Sequence, residues 1–279
     1  MISLFSPAKV NLFLKIQERR PDGFHNLCSL FQMLDFFDSL EIKMAPYDTF
    51  SCNLPHLPMN ENNLVIKALK SFRKKSQISQ ALSIHLEKKI PQEAGLGGGS
   101  GNAATCLWGL NKLFETGYSD EELQSMGSEL GSDVPVFFST GTAYVTGRGE
   151  YVESLSPLKN MEAIVVKPEI SLSTAAVFKA LNPLTLEASD PQKSLELWQN
   201  GNAHFFNDLE PSSFTLAPEL LKLKTNLLKA GFKTAHMTGT GSAFFCVGDS
   251  ELNRFPSTVF SKRVQFINRN EGSWYEKVF

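Results

Sequence analysis

The sequence predicts an α+β protein of two lobes, and three observations carry that prediction. Runs in which apolar and polar residues alternate, the pattern of half-buried strands, are interleaved with stretches whose apolar residues recur at helical spacing. A glycine cluster from Gly95 to Gly101 joins one such strand to one such helix. Near Leu155-Ser156-Pro157-Leu158 the pattern breaks and starts again, which divides the chain into residues 1–156 and 157–279. A length of 279 residues with 42% hydrophobic content can bury a full core, in one large domain or in two lobes.

Val10, Leu12, Leu14 and Ile16 alternate with Asn11, Phe13 and Lys15, so the first strand buries one face and turns Lys9 and Asn11 to the other. Arg19-Arg20-Pro21-Asp22-Gly23 reads as a turn, with Pro fixing φ and Asp-Gly accepting positive φ, and it presents Phe24-His25 just beyond. Residues 30–34 and 40–44 read as two further strands, and 64–72 as a helix that follows Asn60-Glu61-Asn62-Asn63 and ends in the solvated Arg73-Lys74-Lys75. Leu82, Ile84 and Leu86 alternate with polar residues in a strand ahead of the glycine cluster, while Ala103, Ala104, Leu107, Leu110 and Leu113 mark the helix after it.

Ser119-Asp120-Glu121-Glu122 is a capping box that opens a helix of about three turns, to Gly131. Residues 132–138 then place Asp133 at the mouth of an apolar, strand-like run, and 141–149 and 151–155 add more sheet. In the second lobe a strand over 163–167 precedes a helix capped by Ser173, and Pro218 opens another helix that Gly231 closes. Apolar strands over 232–237 and 243–247 bracket a second glycine turn, Thr238-Gly239-Thr240-Gly241-Ser242.

A net charge of −2 and a pI near 6.2 argue against a broad surface for nucleic acid or anionic membrane. No signal-length apolar run opens the chain, and none reaches the roughly 18 residues of a membrane span. A soluble, cytoplasmic protein with neither nucleic-acid nor membrane partners is therefore expected, its oligomeric state open. Cys28, Cys52, Cys106 and Cys246 lack CxxC spacing, which predicts reduced, buried thiols and no zinc or redox site.

The glycine cluster is where chemistry is expected. Glycines let an anion approach the backbone closely, and the following helix offers free N–H groups and the positive end of its dipole. The pattern is neither a Walker A loop, since Gly99 is followed by Ser100-Gly101 where Lys and Ser or Thr are needed, nor a dinucleotide fingerprint. A flexible linker has a similar composition, but the flanking strand and helix favour a phosphate cradle. Phosphoryl transfer would combine that cradle with Lys9 to neutralise charge and Asp133 to take the proton of an acceptor hydroxyl. Taken alone, Asp133 is more simply a cap or turn residue, Phe24 a core residue and His25 a surface one.

Pro7-Ala8-Lys9-Val10-Asn11-Leu12-Phe13-Leu14, residues 91–104 and Thr238-Gly239-Thr240-Gly241-Ser242-Ala243 resemble, in order, three signature segments of the galactokinase, homoserine kinase, mevalonate kinase and phosphomevalonate kinase (GHMP) superfamily. The first segment, followed by Arg20-Pro21-Asp22-Gly23-Phe24-His25, is most similar to members that act on a cytidyl-diphosphate-linked methylerythritol in the non-mevalonate isoprenoid pathway. The resemblance implies an N-terminal α/β sandwich lobe, a ferredoxin-like C-terminal lobe and a site in the cleft between them. It implies ATP-dependent phosphorylation of that substrate's 2-hydroxyl.

By the same resemblance, Pro91, Gly95, Leu96, Gly97, Gly98, Gly99, Ser100 and Gly101 wrap the triphosphate and Asn63 approaches the adenine. Lys9 and Asp133 are catalytic, and Asn11 belongs to the acceptor site. Phe24 and His25 stack on and read the cytosine, Phe178 closes over it, Thr174 touches the diphosphate, and Gly239, Thr240 and Gly241 form the C-terminal glycine turn. Mg2+ accompanies ATP, with Ser100 a candidate contact and the other ligands open.

Two features depart from the superfamily pattern: Phe24 stands where Tyr is frequent, and Gln92-Glu93 where small or apolar residues are. Glu93 is expected to point away from the phosphates, its charge offset by Lys88 and Lys89. A kinase for homoserine or mevalonate-type alcohols and a non-catalytic nucleotide or metabolite sensor are the rival readings. Asp133 either accepts the proton or orients Lys9 and the hydroxyl.

Overall fold

The structure is a computed structural model that describes residues 1–183, 186, 188–248 and 259–276. Its frame is a pair of long antiparallel strands, β1 (Ile2–Arg19) and β2 (His25–Met44), joined through the turn at 20–24. The two strands expected at 30–34 and 40–44 are one. The acidic residues in the stretch between them are acceptors: Asp35 takes the Gln265 N–H at 2.8 Å, and Asp38 takes those of Lys89 and Ile90 at 2.7 and 2.9 Å. Phe36 and Phe37 between them are buried.

β3 (Thr49–Cys52) pairs with β4 (Leu82–Glu87), which pairs with residues 39–44 of β2. β5 (Thr142–Thr146) lies on residues 29–32 of β2 and carries β6 (Tyr151–Ser154). Against this sheet packs α2 (Gly98–Phe114), flanked by α1 (Leu64–Ser76) and α3 (Asp120–Ser128). Its small residues permit the close fit: a Cβ on Gly109 would stand 2.8 Å from Leu4. The capping box on Ser119 and Glu122 is present, although α3 stops short of Gly131. Residues 132–138 are not a strand. Pro135 lacks the N–H that a ladder needs, and Pro135–Phe138 form a 3-10 turn with all four side chains buried.

The second lobe holds β7 (Glu162–Lys167), α4 (Thr174–Lys179), α5 (Pro191–Gln199), β8 (Phe206–Asn207), α6 (Glu210–Leu216), α7 (Pro218–Lys229), β9 (Thr234–Met237), β10 (Phe244–Val247) and β11 (Phe260–Ile267). Ser173 occupies the N-cap of α4, but its hydroxyl makes no capping bond. The lobe's antiparallel strands lie in the order β11, β7, β10, β9, the ferredoxin-like arrangement of last, first, third and second. The chain is thus the two-lobed α+β fold that the sequence predicts.

The lobes share one sheet. Phe266 and Ile267 at the end of β11 pair with Leu34 and Met33 of β2, and β8 pairs in parallel with Phe13 and Leu14 of β1. After β11 the chain returns to the first core, where Trp274 Nε1 donates to the Phe5 carbonyl at 2.8 Å and the Tyr275 hydroxyl to that of Ser139 at 2.7 Å. A separate apolar cluster fills the junction, with Val10 and Leu12 of β1 and Ala94 and Leu96 of the glycine loop against Val165 and Phe245. Three cysteines are buried as expected; Cys52 is only partly so.

Candidate active site

The glycine loop is clamped between the first strand and the second lobe. The Leu96 carbonyl accepts the Lys9 N–H at 2.9 Å, and the Ala94 carbonyl accepts that of Ala243 at 3.1 Å. Gly97 caps α2 at φ +69, and a Cβ there would lie 2.7 Å from Lys9 Cγ and 2.9 Å from Phe137 Cζ. Gly95, at φ +73, lies so close to the second glycine turn that its Cβ would meet the Thr238 carbonyl oxygen at 2.0 Å. Both positions require glycine, for backbone conformation and for space. Leu96 is buried in the core between the lobes, so its part in the loop is anchorage and backbone.

One side of the loop faces a hollow of about 330 Å³, bordered by Asn63, Pro91, Gly95 to Ser100 and Leu57. The start of α2 opens onto it without a side-chain cap, so the first-turn N–H groups are available to an anion. Gly101 lies deeper, its Cβ position 3.0 Å from the Pro7 carbonyl and Ser6 Oγ. Asn63 does structural work on the hollow's wall: Oδ1 caps α1 at Val65 N, 2.9 Å, and Nδ2 donates to the Pro58 carbonyl, 2.9 Å.

Lys88 does not offset Glu93. It is buried beneath the loop, its ammonium paired with Asp38 and 3.1 Å from Asn102 Oδ1. Asn102 Nδ2 in turn donates to Asp38 at 2.9 Å, so one carboxylate ties β2, the stretch before the loop and α2 together. Glu93 is exposed, at φ +50, and borders the hollows on both sides of the loop. Its charge reaches Lys167, whose ammonium burial pushes below its ordinary pKa and which Glu93 partly restores.

On the other side opens a larger cavity of about 1440 Å³. At its base Lys9, 2% exposed, places Nζ 2.9 Å from Asn11 Oδ1 and 3.2 Å from Asp133 Oδ2, and 4.7 Å over the Phe31 ring. Asp133 is 41% exposed and borders the cavity, while β1 is buried on both faces here because the loop and the second lobe cover its polar side. Besides Lys9, two residues fix Asn11. Its Nδ2 donates to Ser29 Oγ at 2.8 Å, its backbone N–H donates to Thr238 Oγ1 at 3.1 Å, and Thr238 Oγ1 approaches Oδ1 at 3.1 Å.

The far wall carries the remaining predicted residues. His25 and Phe178 stack with ring centroids 5.8 Å apart, and burial, helped by the charge of Arg19, holds the His25 imidazole below its ordinary pKa. Thr174 Oγ1 is 3.3 Å from Thr240 Oγ1, between Gly239 and Gly241 of the second turn. Phe24 is 55% exposed, with the Arg148 guanidinium 5.2 Å from its ring centre. Every predicted site residue except Gly101 borders one hollow or the other. The sequence reasoning missed Thr238, Ser29 and Arg148. Thr238 lay in a segment already singled out, whereas the other two carried no motif.

Known proteins resemble the chain in both sequence and fold. Residues 63–141 match the family described as GHMP kinases N terminal domain. A 4-diphosphocytidyl-2-C-methyl-D-erythritol kinase of Protochlamydia amoebophila is 47% identical, over 98% of this chain and 93% of its own. The chloroplastic kinase of the same name from Oryza sativa is 41% identical, over 99% of this chain and 73% of its own. A crystal structure of 4-(cytidine 5'-diphospho)-2C-methyl-D-erythritol kinase superposes with a TM-score of 0.83 at 29% identity, covering 96% of this chain and 100% of that one. A homoserine kinase from Cytophaga hutchinsonii, at 17% identity and a TM-score of 0.70 over 97% and 96% of the two chains, shares the fold.

Proposed function

Because this chain belongs to the 4-diphosphocytidyl-2-C-methyl-D-erythritol kinases within the GHMP family, we propose how its own residues transfer the terminal phosphoryl group of ATP to the 2-hydroxyl of that cytidyl substrate. The chain is an ATP-dependent small-molecule kinase of isoprenoid precursor biosynthesis. The observation that carries the residue assignment is the position of Lys9 and Asp133, 3.2 Å apart at the base of a cavity whose other side is the glycine loop.

ATP occupies the smaller hollow, its phosphates along Gly95 to Ser100 and its adenine toward Asn63 and Leu57, while Gly101 lets the start of α2 sit close against β1. The cytidyl substrate occupies the larger one, with its methylerythritol end at Lys9, Asn11 and Asp133. Its diphosphate lies by Thr174 and the turn of Gly239, Thr240 and Gly241, and its cytosine lies among Phe24, His25 and Phe178. Asp133 accepts the hydroxyl proton, its carboxylate held by Lys9. Lys9, aimed by Asn11, offsets charge on the group in transit. Since Gly97 touches both Lys9 and the phosphate hollow, donor and acceptor meet across one residue of backbone.

The hard phosphate oxygens of ATP call for Mg2+, and Ser100, which borders the smaller hollow, would hold it together with them. When bound, the cation neutralises phosphate charge. Residues 1–156 supply the nucleotide hollow and the catalytic pair; 157–279 complete the acceptor cleft. The four cysteines, free thiols here, suit a reducing compartment, and we place the enzyme in the cytoplasm. Among the described residues no helix is long and apolar enough to cross a membrane.

An ADP-release assay with the cytidyl substrate, homoserine and mevalonate as acceptors tests the reading. Turnover with the cytidyl substrate alone is expected. Turnover with only the simple alcohols would replace it, and ATP binding without turnover of any acceptor would favour a sensor.

A further inference from the structure

Phe24 is offered as a stacking surface for the base, yet packing does not hold it. Its backbone is fixed, since its carbonyl accepts the Arg20 N–H at 2.7 Å and its N–H donates to Asp22 Oδ1 at 3.1 Å. Its ring is more than half exposed and borders the cavity, so burial does little to choose among its rotamers. Stacking on such a ring costs affinity, because the ring must be ordered when the base arrives.

We propose that Arg148 is a positioning and specificity-determining residue for the base end of the substrate: its guanidinium covers one face of Phe24 and fixes the ring so that the other face receives a pyrimidine. The inference rests on the cytidyl substrate assigned above. Arg148 stands at the tip of the β5–β6 hairpin between Gly147 and Gly149, both at positive φ. The Gly147 carbonyl accepts the Leu27 N–H at 2.7 Å, which docks that tip beside the start of β2 and the Phe24-His25 pair. Glu150 holds the arginine from behind, with its Oε1 3.6 Å from Nε and its Oε2 accepting the Arg148 N–H.

The result is a layered stack of arginine, phenylalanine and base. A planar guanidinium suits this place better than an ammonium, because it lies flat on a ring while its edge remains solvated. It also brings positive charge to the mouth through which a diphosphate enters. A pyrimidine on the uncovered face gains a rigid platform, and a substrate without a base gains nothing from it.

The test is a double-mutant cycle read as KM and kcat. Arg148→Ala is expected to raise KM for the cytidyl substrate about three- to ten-fold. The kcat and the KM for ATP should stay within about twofold, and Arg148→Lys should recover part of the loss. Phe24→Ala/Arg148→Ala should be no worse than Phe24→Ala alone. An unchanged KM in Arg148→Ala overturns the proposal. So does a full loss that persists in the Phe24→Ala background and fades with added salt, since the arginine would then touch the diphosphate directly. Failure of the unmodified enzyme to turn over the cytidyl substrate would instead strike the functional reading beneath it.

Discussion

The two hollows on either side of the glycine loop are built from different materials. The smaller is backbone: glycines at positive φ, the uncapped start of α2, and an Asn63 engaged in holding its own wall. The larger is made of side chains drawn from far apart in sequence, with Lys9 and Asn11 from β1, Asp133 from the turn before the 3-10 segment, His25 from β2 and Phe178 from α4. The contrast follows from what each side must recognise. Phosphates are bound by N–H groups that every residue carries, provided no Cβ intervenes, whereas an acceptor hydroxyl and a pyrimidine need particular functional groups. Changes on the two sides should therefore fail differently.

Asp133→Ala should give the largest effect and the clearest separation. General base catalysis contributes about 10²- to 10⁴-fold, so kcat should fall by about a thousandfold while the Kd for ATP hardly moves. Asp133→Asn, which keeps the shape and can still donate to the hydroxyl, should be nearly as poor. An Asn variant that kept most of the activity would make Asp133 an orienting group. A rise in the Kd for ATP matching the fall in kcat would mean that the two hollows do not act separately.

Gly97→Ala attacks the residue the hollows share. The new Cβ would be strained by its φ and driven into Lys9 and Phe137, so strain of about 1–3 kcal/mol is expected along with lost alignment. Melting temperature should drop, and kcat and the KM for ATP should both worsen, by about tenfold each if the loop backs away by a few tenths of an ångström. A defect confined to one substrate would show that the wall is not common to both.

His25→Ala should act on the acceptor side alone, raising KM for the cytidyl substrate about tenfold through loss of a hydrogen bond and a ring contact, with little change for ATP. A pH signature accompanies it. Burial and Arg19 keep the imidazole neutral, with its pKa below the ordinary 6.5. KM for the cytidyl substrate should thus be flat above that pH and rise only as the medium becomes more acid, with the inflexion absent in His25→Ala. An inflexion above 6.5, or none in the unmodified enzyme, would take His25 out of base recognition.

The same contrast decides what could be read from the sequence. The backbone hollow was legible because glycine spacing is itself the physical requirement: Gly95 and Gly97 are needed for want of a Cβ. So was the fold class, since alternation in β1 and β4 and the capping box on Ser119 are local signals. The side-chain cavity was legible only through the resemblance, as nothing local links Lys9 to Asp133 or His25 to Phe178. Local signals also misled. The two strands expected at 30–34 and 40–44 are one, its Asp35 and Asp38 taken up as acceptors of N–H groups from other segments, the apolar run at 135–138 coils because of its proline, and Lys88 is consumed by Asp38. The return of Trp274 and Tyr275 to the first core rests on contacts with residues more than a hundred positions away, which no window of sequence reports.

Asn63 gives the smallest effect and the finest distinction, because it could border the adenine or serve only as a helix cap. Its two side-chain bonds can be removed one at a time. Asp at 63 still accepts from Val65 N, so α1 keeps its cap, but it cannot donate to the Pro58 carbonyl. Asn63→Asp should therefore keep the cap but set a carboxylate oxygen against the Pro58 carbonyl, lowering the melting temperature modestly and raising the KM for ATP about two- to threefold through a loosened wall and an added negative charge, with the cytidyl KM untouched. Asn63→Ala removes both bonds and should also cost about 1 kcal/mol of stability. Were the two variants to lose stability equally, the Pro58 bond would matter more to the fold than the cap. Were neither to alter the KM for ATP, the nucleotide side would be backbone alone, and the difference between the two hollows would be sharper still.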